Sequence, residues 1–470
     1  MRTLTFGSLV VISIAAVVAA CGSSSKANGG PGGSFGASHA ALPLLVEQGI
    51  PVLQAPKIVT VTFPGDTNAA QLEAFGATVT NNSWWDAVRK GFCDPGSTTS
   101  CIGDGPTGTK VELTTAPAAS YTDSSIGQGP SSLQAFIQGL IPSAIPQPDA
   151  QTILVFYFPS TTTITLDGQA SCSVFGGYHN SMTVAGTRFA YAVVNECPPM
   201  TGTMRTALQE TTFEASHEIL EAATDPAQIL TANGVEQVGY YLDLVDPSIL
   251  PWNAVAGGEA GDLCLDFLGL GQDATTEGGF TVQRVWSNAA AAAGGDPCVP
   301  AVADTYFNVA PETWLLTTDV GGSVTFTADA FSSAATSDWT VLGYDLNATS
   351  AANLSPYIAI TINGAQRTTV KNGDKVAVKV TLKQDPSNLS AYGATLGAVG
   401  LLVSLNGTDP KTATAGHFWP FLVTSHADAV DAGLNTVDAA AEEPIHPPSF
   451  KMTREARANL ARAFPNLKSF

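Results

Sequence analysis

The sequence predicts an α+β domain followed by an all-β sandwich, and three observations carry that reading. The runs TILVFYF (152–158) and FAYAVVN (189–195) are continuously apolar, the pattern of strands buried on both faces. Segments of helical spacing lie around them, notably SSLQAFIQGLI (131–141), where Leu133, Phe136, Ile137 and Leu140 share one face. From Asp304 to Leu422 the chain instead reads as strands and turns. DKVAVKVTL (374–382) alternates with period two, and Asn363-Gly364, Asn372-Gly373 and Asn406-Gly407 are hairpin turn signals.

In chain order, KIVTVTF (57–63) is the first strand of the α+β part. Asp66 is placed to cap a helix through Phe75, and SWWDAVRKGF (83–92) carries a second short helix. KVELT (110–114) is a strand, and the helix 131–141 and the strand 152–158 follow. Residues 171–183 look irregular or edge-like before the strand 189–195. A helix runs from Met204 to Ala223 and stops at Thr224-Asp225-Pro226, because proline cannot continue it. Residues 227–300 are Gly-rich and irregular. The six or seven strands expected in the next ~120 residues suit an immunoglobulin-like sandwich.

Charged residues make up 13% of the 470-residue chain and hydrophobic ones 44%, so there is apolar material for a sizeable core and wholesale disorder is excluded. The formal net charge of −20 argues against nucleic acid as the main partner, since phosphates would be repelled by most of the surface. The N-terminus, MRTLTFGSLVVISIAAVVAAC, has a positive Arg2, an apolar stretch from Leu9 to Val18 and the junction Val18-Ala19-Ala20-Cys21. That layout is a signal peptide, and its end resembles the bacterial lipobox, in which the cysteine becomes a lipidated N-terminus. The resemblance implies residues 1–20 as signal, Cys21 as the lipid anchor to the membrane, and an envelope address. Gly22 in place of the inner-membrane retention Asp favours the outer membrane or cell surface. Residues 21–47 are a Gly/Ser-rich linker, 48–300 the α+β domain, 301–443 the sandwich and 444–470 a basic tail.

Beyond Cys21, six cysteines fall in close pairs along the chain: Cys93 with Cys101, Cys172 with Cys197, and Cys264 with Cys298. Sequential pairing closes the shortest loops, and an exported chain favours disulfides.

The chemistry concentrates in FEASHEILEAATDP (213–226). His217, Glu221 and Asp225 follow at i, i+4 and i+8 and share one helix face. Glu218 directly follows His217, the place of the general base in HExxH metalloproteases. An imidazole and a carboxylate can hold a metal while the adjacent Glu takes a proton from water. Glu221 stands where the motif has its second His, which admits Ca²⁺ beside Zn²⁺. Asp225 either ligates or caps the helix end. If it is not the third ligand, Asp262 or Glu259 in GGEAGDLC (257–264) is.

The order of elements is similar to the zincin metallopeptidase domain, in which an antiparallel edge strand borders the cleft above the motif helix. By that resemblance SCSVFGGYHNSM (171–182) is the edge strand, offering backbone to an extended peptide, and His179 on it reaches the metal or a substrate oxygen as an oxyanion stabiliser. SWWDAV, PQPDAQTILVFYFP, CSVFGGYHNSM, FAYAVVNECP, ASHEILEAATDP, GEAGDLC and VQRVWSN, spread over 57–300, together resemble a bacterial and fungal family of secreted proteins. That family is distantly similar to the plant phosphate-induced/EXORDIUM-like proteins. The resemblance implies a secreted domain of one fold and brings no reaction with it.

Three functions follow. The first is a metal-dependent, peptidase-like hydrolase acting on a peptide or cell-wall substrate. The second is a non-catalytic envelope module with a structural metal. The third is a glycan- or protein-binding lipoprotein that uses surface aromatics such as Trp339 and Trp419.

Overall fold

The computed structural model describes residues 36–426, except 125–130, 199–204, 231–235, 244–245, 266–267, 269, 302–304, 347–356 and 386–396. Cys21 and the basic tail 444–470 lie outside the described residues. The fold is mixed α+β, mostly sheet with few helices.

The first half is built on a five-stranded sheet. Its strands are β1 (Lys57–Thr62), β2 (Thr109–Glu112), β3 (Thr152–Pro159), β4 (Gly177–Val184) and β5 (Thr187–Glu196), in the order β2-β1-β3-β5-β4. All neighbours run parallel except β4, which pairs antiparallel with β5 at the sheet edge. Helices α1 (Ala69–Thr78) and α2 (Ser83–Val88) lie between β1 and β2, α3 (Ser132–Leu140) lies between β2 and β3, and α4 (Ala207–Thr224) follows β5. The apolar run at β3 is buried on both sides because one layer of core covers each face. Ile153, Val155 and Tyr157 face the layer holding α4; Leu154, Phe156 and Phe158 face the layer holding α3.

The stretch expected to be irregular, 227–300, contains short elements that pack on α4, including the hairpin Ala274–Glu277/Phe280–Gln283. The packed chain also begins before residue 48. Leu45–Glu47 is a strand paired with Tyr240–Leu242, and Leu42 and Leu45 are buried, so the linker gives way to structure inside its expected span. The cap of α1 is Asn68, not Asp66; Asp66 instead accepts from the Asn68 backbone N–H.

The three sequential disulfides are formed. Cys93 bonds to Cys101 and closes the loop after α2. Cys172 bonds to Cys197 across the two ends of the β4–β5 pair. Cys264 bonds to Cys298, which lies opposite Trp286 in a short antiparallel pair. All six cysteines are thereby occupied, so Cys93, Cys101, Cys172, Cys197, Cys264 and Cys298 are structural and none is left as a thiolate to hold a metal.

The second half stacks two sheets. One has the order Phe307–Pro311, Ser323–Ser332, Lys375–Leu382, Ile358–Ile362; the other has the order Leu315–Thr317, Gly416–Thr424, Ala398–Asn406, Trp339–Asp345, Arg367–Val370. These nine strands exceed the six or seven expected, because Leu315–Thr317 and Arg367–Val370 are short edges without an alternating signature. Trp339 is 1% and Trp419 4% exposed, so neither offers a surface aromatic, and Trp419 of HFWPF (417–421) is a core residue. No helix among the described residues is long and apolar enough to cross a membrane.

Candidate metal centre

Helix α4 starts with a reciprocal cap. Thr206 Oγ1 accepts from Gln209 N, and Gln209 Oε1 accepts from Thr206 N. It ends at Asp225, whose Oδ1 accepts from Gly239 N at 2.7 Å, ahead of Pro226. Between these ends every residue from Glu210 to Thr224 is buried except Glu214. An interior helix buries its charges too, so His217, Glu218 and Glu221 sit inside the protein. Buried charge requires a partner.

The partners are assembled from three elements, helix α4, strand β4 and the loop 257–264. His217 Nε2 lies 2.8 Å from Glu221 Oε2 and 3.8 Å from Asp262 Oδ1, which arrives on the loop after Gly257. On β4, His179 turns Nδ1 toward Glu218 Oε2 at 3.4 Å and Glu221 Oε2 at 3.8 Å. Its Nε2 lies 3.7 Å from Glu259 Oε1. The Asp225 carboxyl also faces Glu259 and feels the charge of His179. Glu221 Oε1 is held by Gly261 N at 3.0 Å and Asp262 N at 3.2 Å, which leaves Oε2 to the imidazoles. Three overlapping groups have ligand atoms within 4.8 Å of one another: His217/Glu221/Asp262, His179/Glu218/Glu221 and His179/Asp225/Glu259. The Cys264–Cys298 bond starts two residues after Asp262 and pins the end of the loop that delivers it.

Two glycines make this closeness possible. A Cβ on Gly261 would stand 2.7 Å from His217 Nδ1 and 2.9 Å from Glu221 Oε1. A Cβ on Gly177 would stand 3.0 Å from Glu218 Cγ. Burial alone lowers the pKa of His217, but Glu221 and Glu218 outweigh it and push the pKa up to about 10. For His179 burial is likewise opposed, first by its hydrogen bond to Glu218 and then by Glu221, and its pKa is raised. Burial raises the Asp225 carboxyl to about 6 against the pull of His179 and the Gly239 N–H.

The sequence-predicted residues thus meet. Of the alternatives for the third position Asp262 joins His217 and Glu221, while Asp225 caps the end of α4 and falls in a second group with His179 and Glu259. His179 does reach the cluster, yet its Nε2 is turned to Glu259 and not to an open cleft. Gln283 was missed. Its Oε1 lies 2.5 Å from His217 Nδ1, its Nε2 donates to Gly261 O at 2.7 Å, and its backbone N donates to Ser216 Oγ. The only sequence signal for it was its place in VQRVWSN.

No known protein family matches the chain, and no curated protein matches it. Among solved structures, a conjugative transposon lipoprotein from Bacteroides eggerthii is 10% identical over 24% of this chain and 95% of that one, with a TM-score of 0.17. Domain 1 of VCBP3 from Branchiostoma floridae is 8% identical over 27% of this chain and 99% of that one, at 0.16. A β-glucosidase from Listeria innocua is 9% identical over 81% of this chain and 48% of that one, at 0.15. Scores this low establish no common fold.

The residues fit a divalent cation on chemical grounds. Five carboxylates (Glu218, Glu221, Asp225, Glu259 and Asp262) and two imidazoles share one buried volume. Even with both imidazoles protonated, three formal negative charges would remain. His217 also presents Nε2 to the carboxylates while an acceptor holds Nδ1, the arrangement that fixes a ligating imidazole. A cavity of about 70 Å³ between the two halves, lined by Trp252, Arg284, Tyr306 and His417, offers no comparable chemistry. Arg284 is occupied there by Pro300 O, Gln272 O and Asp296, and burial lowers His417 to about 4, so it is neutral.

Proposed function

We propose that this chain is a cell-envelope lipoprotein with a divalent-cation-dependent, peptidase-like hydrolase centre and an accessory immunoglobulin-like sandwich. The observation that carries the reading is the convergence of His217 Nε2, Glu221 Oε2 and Asp262 Oδ1 next to Glu218, directly beside an antiparallel edge strand. A zincin-like frame and the relationship to the phosphate-induced/EXORDIUM-like proteins belong to the same proposal.

His217, Glu221 and Asp262 would hold the ion, and Zn²⁺ suits one imidazole and two carboxylates. The ion would supply Lewis-acid polarisation of a substrate carbonyl. Glu218 Oε2 takes a proton from the attacking water and returns it to the leaving group. His179 Nδ1, 3.4 Å from that oxygen, orients the carboxylate. Strand β4 lends its free edge to an extended peptide by strand addition.

The test is a peptide library screened with wild type and variants. Glu218→Gln should keep the ion and the melting temperature and lower turnover by at least about 10²-fold, the scale of general-base loss. Glu221→Gln should lose ion and activity together. If wild type cleaves nothing that Glu218→Gln spares, the reading fails. The burial of the centre favours a second reading, a structural cation in a non-catalytic module: the side chains of His179 and Glu259, its most open members, are 8% and 10% exposed. Ca²⁺ recovered in place of Zn²⁺, with no cleavage, supports it.

A further inference from the structure

We propose that the centre holds two divalent cations, the second bound by His179, Asp225 and Glu259. The inference rests on the cation reading of His217 and Glu221 and extends it to residues that reading does not use.

The imidazoles carry the argument. A ring nitrogen that ligates must present a lone pair, and its other nitrogen then keeps the proton and needs an acceptor. His217 meets this condition with Gln283 Oε1 on Nδ1 and the Glu221/Asp262 carboxylates before Nε2. His179 repeats it on the other side of α4's acidic face. Glu218 Oε2 stands at Nδ1, and Glu259 Oε1 stands before Nε2. In this tautomer each Nε2 lone pair points at carboxylate oxygens. Two electron-rich atoms 2.8 to 3.8 Å apart in a buried place repel unless a proton or a cation lies between them.

The two ligand sets have no residue in common. His217, Glu221 and Asp262 form one group, and His179, Asp225 and Glu259 form the other, each with its ligand atoms within 4.8 Å. In the second group the carboxyls of Asp225 and Glu259 face each other, and no N–H or O–H donor reaches Asp225 Oδ2 among the described residues. Facing buried carboxyls require a shared proton or a cation. Charge favours the cation. With neutral imidazoles and all five carboxylates ionised, one divalent ion leaves three negative charges in the cluster, and two leave a single one. Glu218 then stands between the two sets, accepting from a ligand of the second while serving as base beside the first.

Zinc content measured by mass spectrometry on the full-length protein, stripped with chelator and reloaded with Zn²⁺, decides it. Wild type should hold two equivalents per chain. His217→Ala should hold one, and so should Glu259→Gln, which preserves side-chain volume, and Asp225→Asn/Glu259→Gln. Near-UV circular dichroism checks that each variant is folded, and the wild-type stoichiometry stands whether or not they are. A wild type holding one equivalent that Glu259→Gln retains and His217→Ala loses overturns the second site and leaves the first reading intact. A wild type holding none overturns both. Loss of every equivalent in a folded Glu259→Gln shows one shared site and also overturns the proposal.

Discussion

At the residue scale, the His217–Glu221–Asp262 cluster is held in place by a side chain outside it. Gln283 accepts the Nδ1 proton of His217 and donates to Gly261 O, so one amide fixes the tautomer of His217 and the position of the loop behind it. Gln283→Leu should lower cation affinity by about 10–100-fold, the range for loss of an outer acceptor, measured by competition against a chelating dye. Gln283→Glu keeps the acceptor and should recover most of the affinity. His217 and Glu221 were legible in the sequence because helical periodicity puts them on one face of one helix, and Glu218 because it follows His217 as in the HExxH pattern. Gln283 was not legible, because it reaches His217 across 66 residues and its partner is set by the packing of a hairpin on α4. Asp262 and Glu259 were legible only as alternatives. Three residues apart on a glycine-rich loop, they serve different imidazoles, a division that no spacing encodes.

At the element scale, the buried runs at β3 and β5 declared themselves because a strand covered on both faces has no polar alternation. Edge strand β4 was harder to read. It carries Tyr178, Asn180 and Met182 toward one layer and His179 and Ser181 toward the other, and only its pairing with β5 makes the mixture intelligible. The end of β5 also carries a pH-sensitive contact. Glu196 Oε2 accepts from Asn68 Nδ2 at 2.6 Å beside Asp66, tying the sheet to the start of α1. Burial, and then the nearness of Asp66, raises Glu196 from 4.5 to about 7 despite the Asn68 bond. A carboxyl raised on folding binds its proton more tightly in the native state. Its contribution is therefore full below pH 4.5 and is lost as pH rises through about 7. Glu196→Gln should leave the melting temperature unchanged at pH 4 and raise it at pH 8; equal shifts at both would refute the titration.

At the scale of the whole molecule, the two halves share one aromatic seam. Trp419 of the sandwich lies 5.5 Å, centroid to centroid, from Trp252, which lies 6.0 Å from Trp286. Trp286 N in turn donates to Ala260 O in the loop that carries Glu259 and Asp262. Trp419→Ala should cost about 3–5 kcal/mol, and wild type should melt in a single calorimetric transition. Two separated wild-type transitions would show that the seam does not couple the halves. This seam was not legible, since HFWPF (417–421) looks the same whether its partner is the sandwich's own core or a neighbouring layer. The anchoring of the chain is a prediction of the same scale: Cys21→Ser should move the protein from the membrane fraction to the soluble one. A variant that stays with the membranes rules out Cys21 as the tether.

The β4–β5 hairpin is closed at both ends. Ala185 and Gly186, both at positive φ, form the two-residue turn between Val184 and Thr187, and the Cys172–Cys197 bond joins the chain just outside the opposite end. The two strands therefore form a covalent ring. A protease that cut the backbone once anywhere between these cysteines would open the ring without releasing a fragment, and the nicked chain would still run as one species until reductant was added. The same closure keeps β4 from being exchanged with another copy of the chain, since an edge that cannot be threaded out of its ring cannot be swapped.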